Sequence, residues 1–118
     1  MRTIQEDPAP LRGVGQYTDD LRAPKQLVMK VLRAPHAHAN ISALNVDDAV
    51  DMQGVHCVLT AIDADVAAIK PMNCRAPLDN AEFLEPDRPV LAGRQVKYIG
   101  EAIAVVVAET DEIAQDAL

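Results

Sequence analysis

The chain has 118 residues, enough for one domain with a single core and too few for two. Apolar residues make up 49%, so a folded state is expected rather than disorder, but there is no Trp, and only two Tyr and one Phe. The formal charge of −7 repels phosphate backbones, and the 11 basic residues are scattered rather than striped, which argues against nucleic-acid binding.

The first dozen residues, 1–12, hold Pro8 and Pro10 among mixed charges and read as an extended arm. The Gly13-Val14-Gly15 that follows invites a phosphate-loop reading. No buried strand precedes it and a third glycine is missing, so Tyr17-Thr18-Asp19-Asp20 reads instead as a short strand closed by an Asp turn. Gln26 to Arg33 is the first convincing strand, bounded by Pro24 and Pro35, and Asn40 to Val46 is expected as a second, with a bulge or an edge position. Asp47-Asp48 open a short helix that Gly54 ends. Val55 to Thr60 is a third strand, and residues 62–69 suit a helical turn or two.

Residues 70–89 lose periodicity and gather four prolines, which marks a long irregular loop of the kind that carries function or stays unstructured. Pro89 to Leu91 and Gln95 to Ile99 read as strands around Gly93. The continuous run Ala102 to Ala108 suits a central strand covered on both faces. Thr110 is a good N-cap for a last helix, with Ile113, Ala114, Ala117 and Leu118 on one face. That helix has no glycine stop, so the coding unit is expected to continue past Leu118.

Cys57 and Cys74 form no CxxC pair, and two buried free thiols in a reducing compartment are expected rather than a disulfide. The N-terminus has no apolar run of signal-peptide length. No stretch approaches the roughly 20 apolar residues that span a bilayer, so a soluble, cytoplasmic domain is expected.

The blocks Glu6-Asp7, Gly13 and Tyr17-Thr18-Asp19-Asp20, then Arg33-Ala34-Pro35-His36-Ala37-His38-Ala39, resemble one family in their order along the chain. Further on, GVHCVLTAIDA and VLAGRQVKYIGEAIAVVVAET extend the likeness. Together they resemble the N-terminal alpha/beta hammerhead domain of the molybdenum hydroxylase large subunit. That family comprises xanthine dehydrogenase, aldehyde oxidase and molybdenum-containing carbon monoxide dehydrogenase, and the carbon monoxide dehydrogenase-like branch looks nearest. The resemblance implies an α+β fold for residues 1–118, with a small mixed sheet and two or three short helices. It also implies a subunit that binds molybdopterin cytosine dinucleotide with molybdenum, while iron–sulfur clusters and FAD sit on partner subunits or domains. The family's cofactor-binding segments and catalytic glutamate lie in later domains, so no catalytic, cofactor-binding or metal residue is assigned here. Glu101 belongs to the Gly-Glu pair that starts the last strand, where Ala102 replaces the family's usual proline. The 118-residue chain alone is expected to be inactive.

Two local sites remain to be weighed. His36 and His38 share a face if the segment is extended, but a closed metal site needs more ligands than His56 or Cys57 supply, and a turn tied by histidine hydrogen bonds is the simpler reading. In the family, the loop before the strand matching Pro89-Val90-Leu91 presents an apolar residue to the substrate funnel. By that resemblance Phe83 and Leu84 are the substrate-channel candidates, while the plainer reading is that Phe83 caps the domain's own core. The first functional reading is a non-catalytic scaffold that packs on the molybdopterin-binding domain. The second, from another class, is a free-standing ligand-binding or regulatory module that self-associates as a homo-oligomer through an edge strand.

Overall fold

The computed structural model describes residues 12–72 and 87–118. In chain order the elements are β1 (Val28–Arg33), β2 (Ala39–Asn40), α1 (Asp47–Val50), β3 (Val55–Thr60), α2 (Ala64–Ala67), β4 (Gln95–Val96), β5 (Ala102–Ala108) and α3 (Asp111–Asp116). The class is the expected α+β unit with three short helices. Its ladders are antiparallel: a three-stranded sheet in the order β1-β5-β3, and a small second sheet of β2 and β4.

The apolar run of β5 lies at the centre of the larger sheet, as its composition requires, but its two faces differ. Ala104, Val106 and Ala108 are buried, whereas Ile103, Val105 and Val107 are only half-buried. Helix α3 covers the first set through Ala114, which is fully buried. Lys30 of β1, opposite Val106, ties that helix to the sheet: its Nζ lies 2.9 Å from Asp111 Oδ2 and donates to Gln115 Oε1 at 3.1 Å. The predicted cap of α3 is present, with Thr110 Oγ1 accepting from the Ile113 amide at 3.3 Å. Burial on both faces was expected of β5; the described residues bury one face fully and cover the other only at its Ile103 end.

Gly54 has φ +90° in the turn before β3, a conformation that L side chains rarely adopt. A Cβ there would stand 2.7 Å from Ile113 Cδ1, so this glycine also lets α3 approach the sheet. At the other end of β5, Ala34, Ala92 and Val96 form a second buried cluster, against which Ala39, Ile41 and Ile103 pack. Five of the eight buried apolar residues among those described are alanines. Alanine removes little surface from water, so this core stabilises weakly for its size.

Several local expectations are corrected. Thr18–Asp20 forms a 3-10 turn, not a strand, because the Asp20 carboxylate accepts from the Tyr17 amide at 2.9 Å and closes the segment on itself. The strand expected over residues 40–46 stops at Asn40, since its partner β4 is two residues long and Asn45 Oδ1 draws the Asp47 amide into a turn. Residues 89–91 and 97–99 are irregular for the same lack of a partner strand. Cys57 is exposed rather than buried: the register shift between Val55 and Cys57 sets it opposite Val107, on the uncovered face. No helix among the described residues is long and apolar enough to cross a membrane.

Candidate functional site

The two flanks of residues 73–86 come together. The Met72 amide donates to the Arg88 carbonyl at 2.9 Å, which closes the segment at its base. Phe83 and Leu84, the substrate-channel candidates, lie outside the described residues, as does Cys74. The base itself is well defined. On one side Pro71, Pro89 and Leu91 meet Val66 and Ile69 around a cleft of about 300 Å3. On the other, Asp87, Arg88 and Pro89 face Lys97, Tyr98 and Glu101 across a smaller cleft of about 180 Å3.

The second cleft is shaped by the Gly-Glu pair. Gly100 has φ +85°, which only glycine adopts readily. Its amide donates to the Ala34 carbonyl at 2.9 Å, and its carbonyl accepts from Arg33 Nη1 at 2.9 Å. Glu101 is 6% exposed. Its Oε2 accepts from the Lys97 amide, while its carbonyl accepts from the Ala34 amide at 2.8 Å. A buried carboxylate committed to a backbone amide fixes a turn, and that is what Glu101 does here. The sequence signalled the glycine through its place before a strand; nothing in it signalled that the glutamate side chain folds back four residues.

The histidine turn is held by the same backbone bonds. His36 and His38 are both exposed, and among the described residues neither makes a hydrogen bond. The expectation that they tie loose backbone groups is therefore corrected: the Ala34, Gly100 and Glu101 backbone does so. Nor do the four possible metal ligands converge. The Pro35 turn lies beside Gly100 and Glu101, whereas His56 and Cys57 lie beside Val107 and Ala108, on the opposite edge strand. Six residues of strand separate those two levels, roughly 20 Å. His56 instead faces Glu109, with Nε2 to Oε1 3.7 Å, and both side chains are largely exposed.

The acidic pairs are structural too. Asp47 and Asp48 open α1. Further on, Asp63 Oδ2 accepts from the Thr60 hydroxyl at 2.7 Å and the Thr60 amide at 2.6 Å, ending β3. The Thr60 hydroxyl, with the amide, holds the Asp63 carboxyl below the usual carboxylate range. The backbone at the start of α3, with the Thr110 hydroxyl, lowers Glu112 in the same way.

These elements match known proteins. The family described as "Aldehyde oxidase and xanthine dehydrogenase, a/b hammerhead domain" matches residues 12–118. The carbon monoxide dehydrogenase large chain of Hydrogenophaga pseudoflava is 37% identical over 97% of this chain and 13% of its own length. The nicotine 6-hydroxylase large subunit of Paenarthrobacter nicotinovorans is 34% identical over 95% of this chain and 13% of its own. Among solved structures, quinoline 2-oxidoreductase from Pseudomonas putida 86 superposes with a TM-score of 0.81, at 35% identity over 92% of this chain and 14% of that one. The chain thus spans a small fraction, 13%, of the length of the curated relatives it matches. By sequence and by fold, it belongs to the a/b hammerhead domain family of aldehyde oxidases and xanthine dehydrogenases.

Proposed function

We propose that this chain serves as a non-catalytic scaffold domain of a molybdenum hydroxylase large subunit. In this reading it packs on the molybdopterin-binding domain, and its 70–89 loop borders the substrate channel with Phe83 and Leu84. The observation that carries the reading is the match of residues 12–118 to the hammerhead family, in relatives about seven times longer. The small alanine-rich core agrees with it, because a domain that stabilises itself weakly gains from a larger neighbour. So does the loop base: a pinned loop between two clefts, on a turn locked by Gly100 and Glu101, can hold an apolar side chain at a channel mouth. There such a group excludes water and selects substrate shape without making or breaking bonds.

The described residues do not fit the molybdenum cofactor itself. A pterin dinucleotide calls for backbone amides around its phosphates, and two of the five glycines serve other ends: Gly54 admits Ile113, and Gly100 turns the chain into β5. The charge of −7 opposes a pyrophosphate as well. Oxidation of an aldehyde, an N-heterocycle or carbon monoxide would then belong to the rest of the subunit, with iron–sulfur and flavin partners carrying the electrons. Elemental analysis tests this division. The 118-residue chain purified alone is expected to hold no molybdenum and to oxidise none of these substrates, whereas the product of the complete reading frame holds the metal. Stoichiometric molybdenum on the 118-residue chain would overturn the proposal.

A further inference from the structure

The three-stranded sheet presents an apolar surface on the face that α3 leaves open. Register partners share a face, so Val105 groups with Val31 and Leu59, and Val107 with Met29 and Cys57. None of these six is buried: Met29 is 63% exposed, Cys57 is exposed, and the other four are half-buried. None carries a charge, in a chain where 25% of residues do. A solvated sheet face normally alternates to polar residues, and this one does not.

We infer that this open face is the surface by which the domain docks on the remainder of its own subunit, against an uncharged aliphatic surface there. The inference rests on the functional reading above, since it requires that the subunit continue. Area decides between this occupant and a second copy of the chain. Two rows of three side chains, at strand spacings of about 4.8 Å and a rise of about 3.4 Å per residue, cover on the order of 200 Å2. A stable dimer takes about 800 Å2 from each partner, so the patch is too small to hold two free molecules together. A covalently joined neighbour has already met most of the cost of association, and a patch of this size then suffices to fix its orientation. The absence of charge sets the chemistry of the opposing surface, because any ionic group placed against it would be desolvated without a partner.

Cys57 lies within the patch and reports on it. The complete subunit is treated with N-ethylmaleimide, native and in urea, and modification of the Cys57 peptide is followed by mass spectrometry. Native modification is expected to be at least about a hundredfold slower than in urea, because a covered thiol is inert. In the subunit carrying Met29→Glu, Cys57 should regain fast modification, whereas Met29→Leu should keep it protected. Rapid modification of Cys57 in a native subunit that contains molybdenum would overturn the docking assignment while leaving the functional reading intact. Protection that fades on dilution would also overturn it, in favour of a second copy. A complete gene product without molybdenum would instead remove the functional reading on which the assignment rests.

Discussion

The two faces of the β1-β5-β3 sheet are built from the same residue types and treated oppositely by the fold. On one, Ala104, Val106 and Ala108 lie under α3 and are at most 3% exposed. On the other, Val105 and Val107 alternate with them in the same strand and stay half-buried between Met29 and Cys57. The strand itself does not distinguish them, because Ala-Ile-Ala-Val-Val-Val-Ala is apolar throughout. The distinction comes from what packs on top: Ala114 on the first face, and on the second, among the described residues, none that buries the patch. A strand apolar on both faces therefore predicts two coverings, of which the described residues supply one in full and the other only at Ile103.

The largest effect that tests this contrast comes from charging each face in turn. Val106→Asp places an unpaired carboxylate where a side chain is 2% exposed. The expected loss is about 4 kcal/mol or more, a large part of the stability of a domain this size. Met29→Asp, at a position 63% exposed, should change the stability of the 118-residue chain by no more than about 0.5 kcal/mol. Urea unfolding of both variants measures the difference. Equal losses would mean that the second face is covered within this chain, and the contrast would fail.

How much of this was legible beforehand follows from where each signal resides. β5, β3 and the Thr110 cap were visible because their evidence is local: a continuous apolar run, a β-branched run between turns, and a hydroxyl before two acids. The family was legible from the order of its sequence blocks, which survives changes at single positions. The uncovered face was not, since periodicity reports that a strand is apolar and not what will lie against it. The short β2 and β4 were misjudged for a related reason: a strand needs a partner of its own length, and that is a tertiary fact. The inward fold of the Glu101 side chain onto the Lys97 amide leaves no trace in spacing.

The covered face depends on a close approach, and Gly54 is its narrowest point. In Gly54→Ala the backbone at φ +90° becomes strained and the new methyl meets Ile113 Cδ1. The cost expected is about 1–3 kcal/mol, mostly from the backbone, since the end of the isoleucine side chain can move. Ile113→Val in the same background should recover only the smaller, steric part, which a double-mutant cycle by thermal unfolding separates. Recovery of the whole loss would place the strain in packing rather than in φ. Next in size is the helix cap: Thr110→Ala frees the Ile113 amide and should cost about 1 kcal/mol, while Thr110→Ser should cost less than half of that. Neither change should alter the reactivity of Cys57, which sits on the other face.

The smallest effect concerns a charge on the covered face. Lys30 lies opposite Val106, with its stem against the sheet and its ammonium between Asp111 and Gln115 of α3. The Asp111 side chain is 66% exposed, so solvent screens the pair and its contribution should be at most about 0.5 kcal/mol. Lys30→Met keeps the apolar stem and removes the ammonium, and with it both the ion pair and the bond to Gln115. Measured at low ionic strength, the variant should lose that small increment; at about 1 M salt, where the Debye length falls to about 3 Å, the loss should shrink. A loss that persists in salt would show that Lys30 holds α3 through its bond to Gln115. With no loss at either salt concentration, the covered face would owe its closure to shape alone, as the open face must when its partner arrives.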